Sequence, residues 1–280
     1  MGDVYVGINL EFGRLEGRSF RSSIETAAEM GFTFIEPMVH WGRELLSAAG
    51  YFHSVSMLDD PLRMREEIES HDLRMSAISA HSPLCLPDVS TDYLRQAVRF
   101  SAEAGCPIVV TDDGPARPSW GGPDEHHVLM RYVLEEAVAA AEPRGITIGL
   151  ETHAEYTATP AALDRTKALI DSPAIGINLD TGNSFLSGND PHVWLEDSIE
   201  DVVHVHAKDI SAQDAERYRG KRRGMLGCAC GDGVIDWTRV VEICRRAPRD
   251  LVLSVECGST EDAERSLKHL VSVGALSHPG

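Results

Sequence analysis

Strand patterns alternate with helix patterns along the whole 280-residue chain, and this alternation most limits the folds that it can adopt. Eight short segments carry aliphatic residues at every second position, and about eight amphipathic segments with helix-capping residues separate them. Such alternation is typical of a parallel sheet with helical crossovers. Eight repeats favour a closed barrel over an open sheet, and no Gly-x-Gly-x-x-Gly motif follows the first predicted strand. We therefore predict an α/β fold, a (β/α)8 TIM barrel, with residues 1–280 as a single domain.

Four of the predicted strands end on an ionisable residue at the same position of the pattern. They span residues 146–151, 175–180, 203–206 and 251–256. In each strand every second residue is aliphatic. The residues between them are small or polar, and the last residue belongs to this second set. If the aliphatic parity packs against the helices, the four last residues meet at the C-terminal end of the strands. That end carries the active sites of such barrels.

These four residues are Glu151, Asp180, His206 and Glu256. A single residue of this kind is more often a helix cap or a solvated side chain. Three carboxylates drawn together without a cation, however, would repel one another and raise their pKa values. Oxygen-rich ligation with one imidazole suits Mn²⁺, Mg²⁺ or Co²⁺ better than a structural zinc site, which favours thiolates. We predict that the four residues bind one divalent metal ion, Mn²⁺ in the first place and otherwise Mg²⁺ or Co²⁺.

Other polar residues are predicted to face the same end of the barrel. His153 and Lys208 each follow a predicted ligand by two positions, and His81 and Glu36 end the third and second predicted strands. We expect all four to contact substrate, with Lys208 placed to stabilise an oxyanion. A satisfied loop histidine or a surface ion pair is the alternative for each.

Composition limits the partners and the compartment. The net charge of -18 argues against a nucleic-acid backbone or an anionic membrane surface as the main partner. No stretch approaches the roughly 18 apolar residues of a spanning helix, and the N-terminus lacks the features of a secretory signal. The six cysteines form no Cys-x-x-Cys pair. We expect a cytoplasmic protein that acts on a small molecule, without a nucleic-acid or membrane partner. Homo-oligomerisation stays open.

Five segments together resemble the sugar phosphate isomerase/epimerase family of xylose isomerase-like barrels. They are residues 149–153, 178–182, 203–209, 231–237 and 253–256, and the resemblance covers most of the chain. It implies metal ligation by the four strand-end residues and proton abstraction next to the carbonyl of a keto sugar or cyclitol, through an enediolate. In the family's epimerases two glutamate ligands exchange the proton from opposite sides of the substrate. By resemblance, Glu151 and Glu256 are the catalytic pair.

One position departs from the family pattern. Where the family commonly has Asp-x-x-His, this chain has Asp180-Thr-Gly-Asn183, and Asn183 can bind a substrate hydroxyl but cannot act as an acid or base. The long stretch 209–233 looks more like the branches that contain dehydratases and enzymes that cleave 3-keto-glycosides. The predicted function is a sugar epimerase or isomerase. A lyase or dehydratase that performs β-elimination on a 3-keto-glycoside or an inosose is the alternative, and a metal-containing sugar-binding barrel is the non-enzymatic one.

Overall fold

A parallel barrel forms the centre of the computed structural model, which describes residues 2–41, 50–114, 116–221 and 225–279. Every pair of neighbouring strands in this sheet is parallel. The strands are Val4–Asn9, Phe34–Glu36, Arg74–Met75 with Ile78–Ser79, Ile108–Thr111, Thr147–Glu151, Ile175–Asp180, Val202–Ala207 and Leu251–Val255. With the interrupted third strand counted once, the described part of the chain holds eight barrel strands. The predicted (β/α)8 fold is confirmed, and the single-domain assignment of residues 1–280 stays a prediction.

The third strand closes the barrel in two pieces. Arg74–Met75 pairs with the second strand, and Ile78–Ser79 pairs with the fourth. The N–H of Ser76 still donates to the second strand, at 2.9 Å, whereas the N–H of Ala80 donates to the fourth, at 2.8 Å. The strand is interrupted between Met75 and Ile78, because the chain passes there from one neighbour to the other.

The crossover helices begin at side-chain caps or prolines. Proline suits the first helical position because its missing N–H is not needed there. The first helix begins at Phe20, because the Ser19 side chain accepts a hydrogen bond from the N–H of Ser22. The helices are Phe20–Met30, Pro61–Glu69, Pro87–Ala104, Pro123–Ala141, Pro160–Lys167, Thr181–Leu186, Pro191–Ser198, Ala212–Tyr218, Trp237–Cys244 and Thr260–Ser272.

The aliphatic parity of the strands lies in the core, as predicted. Ile148, Leu179, Val205 and Leu253 are buried between the sheet and the helices, so the opposite parity points into the barrel. After the second strand, Val39–His40 pairs with Val55–Ser56 in a small separate sheet. Residues 42–49 of the connection between these two short strands lie outside the described residues. Among the described helices, none combines the length and apolar character that crossing a membrane requires.

Candidate active site

The four predicted metal ligands meet at the C-terminal end of the barrel. Glu151, Asp180 and His206 each offer a ligand atom, and these three atoms lie within 4.8 Å of one another. Nδ1 of His206 lies 3.4 Å from Oε2 of Glu151 and 3.4 Å from Oε2 of Glu256. All four side chains are buried. The strand pattern alone therefore located this cluster.

The atoms at the centre of the cluster fit a metal ion. Oε2 of Glu151 and Nδ1 of His206 are buried and have no hydrogen-bond partner within the described ranges. A buried polar atom left in this way costs about 1–3 kcal/mol. Neighbouring ligands of an ion with bonds of about 2.1 Å lie roughly 3 Å apart, close to the separations found here. Three carboxylates and one imidazole thus fit a divalent metal ion, although the set does not select one metal.

Glu36 holds the other nitrogen of the His206 ring. It is fully buried, and its oxygens accept hydrogen bonds from Nε2 of His206 at 2.9 and 3.1 Å and from the hydroxyls of Ser79 and Ser254. Burial alone would raise the pKa of Glu36, but His206 and His204 hold that pKa well below its usual range. A carboxylate that orients a metal-binding imidazole from behind is common in metal sites. This placement favours an orienting role for Glu36 over the predicted contact with substrate.

Lys208 lies inside the carboxylate cluster. Its Nζ is 2.5 Å from Oε1 of Glu256 and 3.1 Å from Oδ2 of Asp180, and it donates to Oδ1 of Asn183 at 3.2 Å. Burial would lower the pKa of Lys208, but Asp180 and Glu256 raise it, so the ammonium stays charged. Lys208 therefore neutralises part of the negative charge of the ligands.

Asn183 and Asp180 both lie at the N-terminus of one short helix, which positions their side chains. Asp180 caps the helix Thr181–Leu186, and its Oδ1 accepts from the N–H of Asn183 at 2.7 Å. The Asn183 side chain then donates to Oε1 of Glu151 at 3.1 Å. Asn183 thus fixes one oxygen of Glu151, while Oε2 has no hydrogen-bond partner among the described residues.

A cavity of about 320 Å³ opens beside the cluster. It brings together four of the five residues predicted to bind substrate, His81, His153, Asn183 and Lys208, whereas Glu36 is not part of its wall. A larger recess of about 850 Å³ lies at the opposite end of the barrel, among the first residues of the second and third strands, and holds none of these groups. The remaining residues of the cavity wall are Asn9, Glu11, Met38, Tyr51, Ser82, Pro83, Asp112, Gly114, Glu151, His206 and Glu256.

Sequence reasoning missed Asp112, which is buried between His81 and His153. Its Oδ1 lies 3.3 Å from Nδ1 of His81, and its Oδ2 accepts from Nδ1 of His153. Burial alone would lower the pKa of each histidine, but the bond to Asp112 raises that pKa, to about 9 for His81 and about 10 for His153. A signal was available, since Asp112 directly follows the strand Ile108–Thr111. The strand-end argument applied to all eight strands would have included it.

Comparisons with known proteins place the chain in a family. Residues 24–273 match the model of the xylose isomerase-like TIM barrel family. The chain belongs to this family. The resemblance inferred from the five motifs is confirmed.

Curated relatives within the xylose isomerase-like family match only part of the chain. The 3-oxo-isoapionate decarboxylase of Pectobacterium atrosepticum is 35% identical over 133 residues, which are 48% of this chain and 46% of that protein. The inosose dehydratase of Lacticaseibacillus casei is 29% identical over 106 residues, which are 35% of each protein. The matched segments thus span half or less of the length of these relatives.

Solved structures of the family match nearly the whole chain. A D-tagatose 3-epimerase-like protein superposes with a TM-score of 0.73 at 22% identity and 96% coverage of both chains. The IOLI protein with a bound zinc atom superposes with a TM-score of 0.72 at 17% identity, again with 96% coverage of both. At these identities the likeness shows the fold alone.

Proposed function

We propose that the protein is a divalent-metal-dependent enzyme that forms an enediolate from a keto sugar or cyclitol. The observation that carries the proposal is the meeting of Glu151, Asp180, His206 and Glu256, with unpaired buried ligand atoms, beside a cavity. A divalent ion bound there would polarise the substrate carbonyl and stabilise the negative charge that develops on its oxygen. Mn²⁺ is the proposed ion because oxygen-rich ligand sets suit it.

Glu151 is the proposed base. Its side chain lines the cavity, its Oε2 has no hydrogen-bond partner in the described part of the chain, and Asn183 holds Oε1. A carboxylate placed in this way can take a proton from the carbon next to the substrate carbonyl. The Lys208 ammonium borders the same cavity and can bind a substrate oxygen that becomes negative.

The pairing of Lys208 with Glu256 favours a lyase over an epimerase. An epimerase of the predicted kind needs two carboxylates that exchange protons with opposite sides of the substrate. Here Oε1 of Glu256 forms an ion pair with the Lys208 ammonium at 2.5 Å, whereas Oε2 of Glu151 has only longer contacts, with Nε2 of His81 at 3.5 Å and Nδ1 of His206 at 3.4 Å. The two curated relatives support the same branch, since one is named a decarboxylase and the other a dehydratase.

Two lyase reactions fit one base. In dehydration, Glu151 takes the proton next to the carbonyl, and the electron pair passes to the carbonyl oxygen. The pair then returns to form the carbon–carbon double bond, while the β-hydroxyl takes the proton back from Glu151 and leaves as water. In decarboxylation of a β-keto acid, the bond to the carboxylate carbon breaks and carbon dioxide leaves. The electron pair passes to the carbonyl oxygen, and the carbon is then protonated. Both reactions pass negative charge to the same oxygen.

Epimerisation stays the second candidate because the two glutamates lie at equal distances from His206. Glu151 and Glu256 lie equally far, at 3.4 Å, from Nδ1 of His206. This is the arrangement of two carboxylates around one centre that the sequence-based prediction assumed for proton exchange.

Incubation in D₂O distinguishes these candidates. The Mn²⁺-loaded protein is mixed with an inosose or a 3-keto sugar acid, and products are followed by mass spectrometry and NMR. Loss of water or carbon dioxide is the expected result. Deuterium uptake with all carbons and oxygens retained would instead establish the epimerase. If the protein binds the metal but no keto sugar or cyclitol exchanges deuterium or loses water or carbon dioxide, the non-enzymatic sugar-binding barrel is the remaining interpretation.

Variants of the paired glutamates test the base. Glu151→Gln is expected to lower turnover by at least about 100-fold, the usual contribution of a general base. If Glu151→Gln and Glu256→Gln both keep the metal and full turnover, the proton-transfer role of these residues is wrong.

A further inference from the structure

A single buried carboxylate holds two histidines at the cavity. Asp112 is 2% exposed, and each of its oxygens faces Nδ1 of one ring, that of His81 or that of His153. The two side chains remain 33% and 39% exposed, and their ring centroids lie 6.4 Å apart. Both rings therefore reach the cavity while one fixed group behind them sets their orientation.

The contact with Asp112 decides which ring nitrogens are available to a ligand. An ionised carboxylate only accepts hydrogen bonds, so the nitrogen that faces it must carry a hydrogen. Each ring therefore carries a hydrogen on Nδ1, and its Nε2 is directed away from Asp112 toward other partners. Nε2 of His81 lies 3.5 Å from Oε2 of Glu151, the proposed base.

We infer that Asp112 is a positioning residue that holds the rings of His81 and His153 by their Nδ1–H groups, so that Nε2 of each is directed at a substrate oxygen with which it can exchange a proton. The inference rests on the proposed function and deepens it. Asn183, which lies in the wall of the same cavity, has an amide side chain that cannot act as an acid or base. The two rings held by Asp112 supply proton-transfer groups to the same cavity from another side. A buried aspartate that orients an imidazole is a recurring device for this purpose.

The neighbouring Asp113 offers a matched control. It is also buried, at 1% exposure, but it accepts from the N–H of Tyr156 at 3.0 Å and from the hydroxyl of Thr157 at 2.9 Å. In the described hydrogen bonds it contacts no imidazole. Asp113→Asn thus makes the same chemical change one residue away.

The kinetic test compares Asp112→Asn with Asp113→Asn in the Mn²⁺-loaded protein. Asp112→Asn is expected to lower kcat by about 100-fold, as loss of general acid–base catalysis does, with KM changed by a smaller factor. Its affinity for Mn²⁺ should equal that of the wild type, because Asp112 contacts none of the four proposed ligands. Asp113→Asn is expected to keep kcat within a fewfold. Equal kcat values for the two variants would overturn the inference.

A spectroscopic test does not depend on the reaction. Nitrogen-15 NMR identifies the Nδ1–H and Nε2–H groups of a ring separately, and the variants His81→Asn and His153→Asn assign the two rings by loss of their signals. The wild type is expected to show a hydrogen-bonded, slowly exchanging Nδ1–H on both rings, Asp112→Asn to lose it, and Asp113→Asn to keep it. Absence of this Nδ1–H signal in the wild type, or its retention in Asp112→Asn, would contradict the inference. If the rings behave as expected but no keto sugar or cyclitol reacts, the proposed function fails while the positioning by Asp112 stands.

Discussion

At the scale of single residues, Glu36 shows how a buried carboxylate supports a ligand from behind. It accepts from Nε2 of His206 and is itself held by the hydroxyls of Ser79 and Ser254. Such contacts fix the ring of a metal ligand and raise its basicity. The residue was predicted from its strand-end position, but its depth in the barrel gives it a different proposed role.

The variant Glu36→Gln tests this role. The amide keeps the shape of the side chain but loses the charge and one acceptor, so His206 is held less firmly. Affinity for Mn²⁺, measured by titration calorimetry, is expected to fall by about 10–100-fold. Glu125→Gln, which changes an exposed helix-start residue far from the barrel axis, is the control and should bind Mn²⁺ as the wild type does. Unchanged affinity in Glu36→Gln would rule out the orienting role.

His53 connects a buried residue to the acid stability of the fold. It is 0% exposed, and neither ring nitrogen has a hydrogen-bond partner among the residues that the structure describes. Burial lowers the pKa of His53 to about 4, against an ordinary value near 6.5. Between these two values the unfolded chain binds the proton and the folded chain does not, so stability falls as the pH falls.

We expect His53→Leu to remove this acid sensitivity. From pH 6.5 to pH 4 the wild type should lose about 3 kcal/mol of unfolding free energy through His53, given about 1.4 kcal/mol for each pH unit. In the variant, the unfolding free energy still falls with pH through other titratable groups, but the part of the fall that comes from His53 is absent. Urea unfolding at several pH values gives the difference between the two proteins. If both show the same dependence on pH, His53 is not the cause.

At the scale of elements, the end of the long stretch 209–233 is folded back onto the ligand strands. The Asp209 carboxylate is fully buried, and it accepts hydrogen bonds from the returning chain. Next to it Gly227 lies so close to the backbone oxygen of Glu256 that an added Cβ would be 2.7 Å away. Only glycine permits such an approach. The donors to Asp209 are the backbone N–H groups of Ile210, Gly231, Gly233 and Ile235 and the ring N–H of Trp237.

The helix Thr181–Leu186 packs closely against the side chain of Lys208. A Cβ added to Gly182 would lie 2.5 Å from Cγ and 2.7 Å from Cδ of Lys208. Between this helix and Gly227, the lysine stem has little freedom, and its Nζ is held between Asp180 and Glu256. Two elements that are distant in the chain thus place one ammonium.

The variant Gly182→Ala tests this confinement. The added methyl group must displace the Lys208 stem, so we expect turnover to fall by about 10-fold or more. The unfolding free energy should fall by only about 1 kcal/mol, because overpacking costs about 1–3 kcal/mol and alanine regains about 1 kcal/mol of helix propensity. Gly122→Ala is the control, since its nearest contact would be an ordinary 3.5 Å. Wild-type turnover in Gly182→Ala would show that Lys208 has room to move.

At the scale of the whole molecule, the proposed metal ion links strands that are remote in sequence. Its ligands come from the fifth to the eighth strands of the barrel, and an ion that binds only the folded chain stabilises that chain by mass action. At 100 times its dissociation constant, Mn²⁺ is expected to add about 2.7 kcal/mol to the unfolding free energy. Thermal unfolding with and without a chelator measures the effect.

Asp180→Asn separates the metal from the fold. Asparagine caps a helix as well as aspartate does, so the helix Thr181–Leu186 should persist while a charged ligand is lost. We expect this variant to lose the Mn²⁺-dependent stabilisation. Asp190→Asn, at the cap of the helix Pro191–Ser198, should keep it. The same shift in both variants would show that the ion binds elsewhere.

The order of preference between reactions changed with the structure. The sequence favoured an epimerase through the pair Glu151 and Glu256, and only Asn183 and the stretch 209–233 pointed to a lyase. The ion pair between Lys208 and Glu256 makes the two glutamates unequal, which a pattern of strand ends could not reveal. The choice of Mn²⁺, the cytoplasmic location and homo-oligomerisation stay predictions.

The sequence by itself determined the barrel, the family and the end of the barrel at which the site lies. Strand alternation and helix caps are local, so they could be read one segment at a time, and the matched ends of four strands located Glu151, Asp180, His206 and Glu256. Only the tertiary structure decided which partners surround these ligands. Glu36 and His206 are 170 residues apart, and Asp112 and His153 are 41 apart. Closure of the barrel brings such pairs together, and no local pattern encodes the distance between side chains on different strands.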